Sequence, residues 1–118
     1  MTSDFKFAQD TVGYIIEGVL DVPTVRDVKR QIVERIKKEG TIQLYVEDCG
    51  LERLTFFALC IACLIPIQHA RRIHKIALVT DRKWIHRLCT VVSYVSGVEI
   101  KNFDSVGRMN AMDWIARG

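Results

Sequence analysis

The stretch Lys75-Ile76-Ala77-Leu78-Val79-Thr80-Asp81 decides the fold of this chain. Its centre, residues 76–79, is apolar at every position, which is typical of a strand covered on both faces of a sheet. The stretch ends in an acidic residue and passes into a helix-like pattern, and residues 43–48 and 98–104 do the same. Strands that alternate with helical segments of this length are joined by crossover connections. The sequence therefore predicts an α/β domain with a largely parallel sheet.

Apolar periodicity and capping residues predict the remaining elements. Residues 98–101 alternate apolar with charged side chains, which places this strand at the sheet edge. In chain order, the predictions are strands at 5–8 and 11–18 joined near Gln9-Asp10, a helix from Asp21 to Gly40, a strand at 42–46, a helix at 54–67, a strand at 76–79, a helix at 82–95, the edge strand and a last helix capped by Asp104 or Ser105. The residues predicted to face inward are Trp84, Leu88, Val91, Val92 and Val95 in the helix at 82–95, and Ala111, Trp114 and Ile115 in the last helix.

Length and composition predict one globular domain over residues 1–118. Apolar residues make up 49% and charged residues 26%, which is an ordinary balance for a folded domain. The formal net charge of +3 is small and dispersed, whereas nucleic-acid-binding proteins usually concentrate basic residues on one face. Nucleic-acid binding is therefore not expected.

The expected location is the cytoplasm. Residues Met1 to Asp10 lack the basic start and the apolar stretch of a signal peptide. The four cysteines are scattered along the chain and are not spaced as a disulfide framework.

The segment Leu54–Ile67, which reads LTFFALCIACLIPI, is predicted to be a helix that is nearly all apolar and carries no charge. At 14 residues it is shorter than the roughly 20 residues that a bilayer-spanning helix needs, so no membrane span is expected. A helix that is apolar all round is expected to be buried on more than one side. The side chains predicted to form an interaction surface or a lid are Leu54, Phe56, Phe57, Leu59, Ile61, Leu64 and Ile67.

Three interpretations of this helix remain open. Phe56, Phe57, Leu59 and Leu64 could fill the core while the remainder packs under neighbouring loops. The helix could instead form a homodimer contact, because exposed apolar patches often mark interfaces. It could also be a lid over an apolar ligand or a surface that touches lipid. Pro66 would stop or kink the helix in each case.

The cysteines of this helix show little sign of chemistry. Cys60-x-x-Cys63 lies within an apolar helix, where an uncharged thiol is favoured over the thiolate that a redox motif needs. A zinc site would need two further ligands, and His69 and His74 do not complete a recognisable pattern. We expect no metal and no cofactor.

Cys49 follows Asp48 at the end of a strand, just before the apolar helix. A thiol in such a turn can have a lowered pKa, although Glu47 and Asp48 would act in the opposite direction. No histidine is near in sequence, and the chain shows no glycine-rich phosphate loop, paired carboxylates or nucleophile–base arrangement. Catalysis is therefore not expected.

Two basic clusters flank the central strand, and the possible anion-binding residues are Arg71 and Arg72 before it and Arg82 and Lys83 after it. If the clusters meet, they could bind a phosphate or a lipid headgroup near a helix N-terminus. The alternative is a solvated rim in which Asp81 caps the helix that follows.

Taken together, these motifs resemble those of the SpoIIAA-like proteins, a bacterial group related to STAS domains. The segment GYIIEGVLDVPTVRDV fits the family's opening strand, its short link and its first helix. The most specific matches are Asp81, Lys83 and Trp84 after the central strand, and Ala111 and Trp114 near the end. By order of elements, the resemblance covers nearly the whole chain.

The resemblance implies an α/β sandwich with a mixed, mostly parallel sheet of about five strands, four helices and frequent dimerisation. Some members resemble the lipid-exchanging CRAL-TRIO fold. In anti-sigma-factor antagonists a serine after an aspartate is phosphorylated, and the matching pair here is Asp48 and Cys49. We therefore expect a non-enzymatic binding or regulatory module that acts through protein contacts, with an apolar-ligand or lipid carrier as the alternative.

Overall fold

The computed structural model describes residues 2–8 and 11–117, and it describes side chains for residues 11–117. Within these residues the chain forms one five-stranded sheet in the order β1-β2-β3-β4-β5. The elements are β1 (Thr2–Ala8), β2 (Thr11–Leu20), α1 (Val22–Glu39), β3 (Ile42–Leu54), α2 (Phe56–Gln68), β4 (Ile73–Val79), α3 (Lys83–Ser96), β5 (Glu99–Phe103), a 3₁₀ turn (Ser105–Gly107) and α4 (Arg108–Ala116).

The strand directions confirm the predicted mixed sheet. β1 pairs antiparallel with β2, and the pairs β2–β3, β3–β4 and β4–β5 are parallel. The alternating strand β5 lies at an edge, as predicted, and β4 lies between β3 and β5. The turn predicted at Gln9-Asp10 lies outside the described residues.

Successive strand residues point to opposite faces of the sheet. Helices cover both of these faces. One face packs against α1, α2 and α3 through residues such as Leu44 and Ile76. The opposite face packs against α4, where Tyr45, Ala77 and Val79 contact Ala111 and Ile115. These α4 residues are fully buried, which confirms the predicted inward direction of Ala111 and Ile115.

Local capping explains where the helices begin and end. The Asp21 carboxylate accepts a hydrogen bond from the Thr24 backbone N–H at 3.1 Å and so caps α1. Gly40 ends α1 with a φ of +86°, a conformation that favours glycine. The prediction that Asp81 caps α3 is wrong. Its carboxylate instead accepts from the backbone N–H and the hydroxyl of Ser105, at 2.9 and 2.7 Å.

The chain after β5 differs from the prediction in a second respect. Asp104 precedes a 3₁₀ turn, and its side chain makes no capping hydrogen bond. The helix α4 then begins at Arg108. The bond between Asp81 and Ser105 therefore tethers this turn to the end of β4, at the edge where the parallel strands end.

Candidate functional site

The apolar helix α2 begins two residues later than predicted. Leu54 is the last residue of β3, where it pairs with Leu20 in the parallel β2–β3 ladder, so it is not part of the helix. Thr55 is the N-cap, and its hydroxyl accepts a hydrogen bond from the Ala58 N–H at 3.3 Å. Of the described helices, none combines the length and the apolar character needed to cross a bilayer.

One side of α2 faces the sheet and the other is exposed. Ala58, Ile65 and Pro66 are buried. Phe56 and Phe57 are each 71% exposed, Leu64 is 44% exposed and Ile67 is 38% exposed. The interpretation in which Phe56, Phe57 and Leu64 fill the core is therefore wrong, and so is the expectation that the helix is buried on several sides. The physical reason is that α2 has the sheet beneath it and a helix on each flank, while no described residue covers its outer side.

The helix α3 extends this exposed surface. One flank of α3 faces β5 and the opposite flank faces α2. On the β5 side, the Ser93 hydroxyl donates to the Val98 carbonyl at 2.6 Å, and the His86 carbonyl accepts from the Asn102 side chain. The helical spacing therefore places Trp84, Val91 and Val95 on the side that faces α2. They are 48%, 59% and 63% exposed, so the prediction that these three residues point into the core is wrong.

The two exposed stripes adjoin, since α2 and α3 pack side by side and both follow parallel strands. We call the combined surface the α2–α3 face, and its residues are Phe56, Phe57, Leu64 and Ile67 of α2 with Trp84, Val91 and Val95 of α3. No residue of α2 is charged. The rings of Phe56 and Phe57 pack edge to face at 5.7 Å between centroids, so the centre of this surface is apolar and partly ordered by its own contacts.

A cavity of about 190 Å³ lies behind this face, between the sheet and the three helices. The predicted helix residue Leu59 lines it, together with Ala62, Cys63 and Pro66 of α2. Ile61 is half-buried and packs toward Leu20 and Val25, on the flank next to α1. Tyr14, Leu44, Ile76 and Leu78 line the cavity from the sheet, and Ile85, Leu88, Cys89 and Val92 line it from α3.

Asp48 closes one end of this cavity. Its Oδ1 accepts from the Leu51 backbone N–H at 2.9 Å, and its Oδ2 accepts from the Thr80 hydroxyl at 2.8 Å and from Arg82 Nε at 3.0 Å. The Arg82 guanidinium also donates to the Leu51 carbonyl. Each oxygen of the carboxylate therefore accepts at least one hydrogen bond, and the group holds β3, the end of β4 and the start of α3 together.

Cys49 and Gly50 lie within β3 and do not lead directly into a helix. Between Asp48 and Leu51 the strand has one residue more than β2 has between Ile16 and Gly18, which makes a bulge. Gly50 has a φ of +97° there, a backbone conformation that L-residues other than glycine rarely adopt. Cys49 is exposed on this bulge, so the position that resembles the phosphorylated serine lies on an accessible part of β3.

The other thiols are less accessible. Burial raises the pKa of Cys63, and burial raises the pKa of Cys89 to about 12. A neighbouring cysteine adds to the shift in both cases. Cys63 and Cys89 therefore remain protonated near neutral pH and behave as small apolar side chains in the cavity wall.

The four predicted anion-binding residues do not form one site. Arg71 and Arg72 precede β4, whereas Arg82 and Lys83 follow it. The seven residues of β4 separate the two pairs by about 20 Å, at a rise of about 3.3 Å per residue. In addition, Arg82 is bound to Asp48 and to the Leu51 carbonyl. A single headgroup site formed by all four residues is therefore wrong.

On the opposite face of the sheet, polar contacts that the sequence did not indicate surround α4. The buried Tyr45 hydroxyl donates to Glu47 Oε1 at 2.7 Å, and Arg108 lies 3.3 Å from the same oxygen. Burial and the bond to Glu47 raise the pKa of Tyr45. The Lys75 ammonium donates to the Trp114 carbonyl at 2.7 Å and lies 4.4 Å from the Trp114 ring centroid. These contacts attach α4 to the sheet.

Comparisons with known proteins agree with this architecture. Residues 11–116 match the SpoIIAA-like family. The structure is similar to that of an uncharacterized protein with a SpoIIAA-like fold from Shewanella loihica PV-4, with a TM-score of 0.76 and 15% identity over 97% of this chain and 93% of the other. It is also similar to the anti-sigma factor antagonist SpoIIAA in its unphosphorylated form, with a TM-score of 0.68 and 10% identity over 96% of this chain and 98% of the other. A search of curated proteins found no relative of this sequence.

The chain belongs to the SpoIIAA-like family, as its motifs indicated. The two structural neighbours confirm the predicted α/β fold with four helices, within the described residues. At 10–15% identity they are similar in fold alone.

Proposed function

We propose that this domain is a non-enzymatic binding module that associates with a second copy of itself through the α2–α3 face. The observation that carries the proposal is the exposure of seven apolar side chains on two neighbouring helices. A fully exposed aromatic side chain presents roughly 150–250 Å². At exposed fractions of 38% to 71%, the three aromatic and four aliphatic residues together expose on the order of 700 Å². Soluble monomers rarely expose a continuous apolar patch larger than a few hundred Å².

The size and chemistry of the face support a second copy as the partner. A standard interface buries about 800 Å² on each partner, which is close to what this face offers. Homodimer interfaces are more apolar than transient ones, and their centres are depleted of charge. The helix α2 has no charged residue, so a twofold axis that runs beside α2 brings no like charges together, whereas an axis beside α3 would bring together the exposed Arg87 of the two copies.

The residue at the candidate switch position concerns the regulation of this association. One structural neighbour is an anti-sigma factor antagonist in its unphosphorylated form. In this chain the residue that resembles the family's phosphorylated serine is the exposed Cys49, which cannot accept a phosphate as a serine does. We propose that association through the α2–α3 face, without phosphorylation at residue 49, is the working activity of the domain.

Charged substitutions on the face test the proposal. Leu64→Lys and Val91→Lys each place an ammonium on the face, and both should convert a dimer to a monomer while the circular dichroism spectrum stays unchanged. Val106→Lys is the matched control, because Val106 is 93% exposed and lies in the turn before α4. If Leu64→Lys and Val106→Lys have the same mass in light scattering, the proposed face is wrong.

A further inference from the structure

We propose that the cavity behind the α2–α3 face is a binding site for a small, uncharged, apolar molecule. This inference does not depend on self-association, since the cavity lies beneath α2 and α3 and the exposed face lies above them. Protein interiors are close-packed, and the voids that exist rarely exceed a water molecule. An apolar pocket of about 190 Å³ between the sheet and the helices of a 118-residue domain, partly open to solvent, is therefore unusual.

The size of the cavity sets the size of the ligand. An apolar cavity of about 150 Å³ in another protein stays dry and binds benzene or xenon. The present cavity, about 190 Å³, suits a substituted single ring or a short branched alkyl group. It is too small for the whole acyl chain of a membrane lipid, so the occupant is a compact molecule.

The chemistry of the wall sets the polarity of the ligand. Asp48 is the one charged residue among the described residues that line the cavity. Both of its oxygens already accept hydrogen bonds from Leu51, Thr80 and Arg82. The Tyr14 hydroxyl donates to Gln31 at 3.2 Å. A charged ligand would lose its hydration without gaining an unpaired partner, which is costly, whereas an uncharged apolar ligand would gain dispersion contacts with the apolar wall.

The helix α2 is the wall best suited to open. Pro66 lies within this helix and lines the cavity. Because proline has no N–H, it cannot donate the helical hydrogen bond to the carbonyl of Ala62, which lines the same wall. The wall is therefore held by fewer backbone bonds at the cavity than an unbroken helix would have.

Toluene and benzoate are the probes for this site, because they share a ring and differ in charge. Toluene should raise the Tm by about 3–6 °C at ten times its Kd, since a ligand that binds only the folded state stabilises it. It should also shift the methyl NMR signals of Ile85 and Leu88, which line the cavity, but not that of Val106, which is on the surface. Benzoate should do neither.

Two substitutions make the test specific. Ala62→Phe fills the cavity from α2 and should abolish the toluene response. Should that variant fail to fold, Cys63→Leu fills less of the space and should weaken toluene binding at least tenfold. Leu64→Lys, on the exposed side of the same helix, should leave the toluene response unchanged whether or not it alters association. Methyl shifts confined to surface residues, an equal response to benzoate or an unaltered response in the filled variants would overturn the inference.

Discussion

Arg82 and Asp48 form an ion pair, with 3.0 Å between Nε and Oδ2, that joins the bulge of β3 to the start of α3. The Asp48 side chain is 13% exposed and that of Arg82 is 44% exposed. The same carboxylate also accepts hydrogen bonds from the Thr80 hydroxyl and the Leu51 N–H, so it connects the bulge of β3 to the junction of β4 and α3, which is 32 to 34 positions away in sequence. These contacts form one end of the cavity and fix the edge of the sheet at which the strands end.

Removal of this carboxylate should destabilise the fold. Asp48→Ala leaves the Arg82 guanidinium and the Thr80 hydroxyl without their shared acceptor, and we expect a loss of about 2–3 kcal/mol in the free energy of unfolding. Urea denaturation followed by circular dichroism measures this change. The matched control is Asp27→Ala, which removes an exposed partner of Arg30 on α1 and should cost less than about 0.5 kcal/mol. Equal costs for the two variants would show that the Asp48 contacts are no more than a surface ion pair.

The buried Tyr45 should make the domain sensitive to high pH. Burial and the bond to Glu47 raise its pKa in the folded state above that in the unfolded state. A group whose folded pKa is raised contributes stability that is fully present below the unfolded pKa, about 10 for tyrosine, and is lost as the pH rises toward the folded pKa. The free energy of unfolding should therefore fall as the pH is raised above about 10.

Tyr45→Phe tests the origin of this loss. The variant should cost about 1 kcal/mol near neutral pH, because Glu47 loses one donor and keeps Arg108. Above about pH 10 its stability should fall less steeply than that of the original chain, because phenylalanine does not ionise. The comparison uses urea denaturation at a series of pH values. If the free energy of unfolding falls equally steeply with pH in both proteins, Tyr45 is not the cause of the loss.

The thiols should differ in their reactivity toward alkylation. Cys49 is exposed, so iodoacetamide should modify it in the native protein within minutes. Burial raises the pKa of Cys89 to about 12, so at pH 8 very little of this thiol is in the reactive thiolate form. Mass spectrometry of tryptic peptides should therefore show label at Cys49 long before Cys89. Labelling of Cys89 as fast as Cys49 would contradict the described packing, and urea-unfolded protein labelled at all sites is the control.

The order of strands and helices could be predicted from the sequence because each strand carries a local signal. Residues 76–79 are continuously apolar in a strand covered on both faces, and the alternation at residues 99–101 marks an edge strand. The orientation of α2 could not be predicted, because a uniformly apolar helix has no polar side to indicate which face meets solvent. The same limit applied to α3, whose wide apolar arc includes both the buried Val92 and the exposed Val91.

The site was harder to predict than the fold because it depends on contacts distant in sequence. Asp48 and Arg82 are 34 positions apart, and the sequence indicated only that both follow strands. A usable signal was present, since the carboxyl ends of adjacent parallel strands meet at one edge of a sheet. The separation of Arg71 from Arg82 could also have been predicted from the sequence. A strand was predicted between them, and a strand carries its two ends apart.

Sedimentation equilibrium of the unmodified protein tests most directly whether the α2–α3 face joins two copies of this chain. Samples should span a concentration range of about 1 to 200 μM, because interfaces of about 800 Å² per partner support micromolar or tighter dissociation constants. We predict a mass that reaches twice that of one chain within this range and goes no higher, because a twofold interface is closed. A mass that stays at that of one chain throughout this range would contradict self-association through this face.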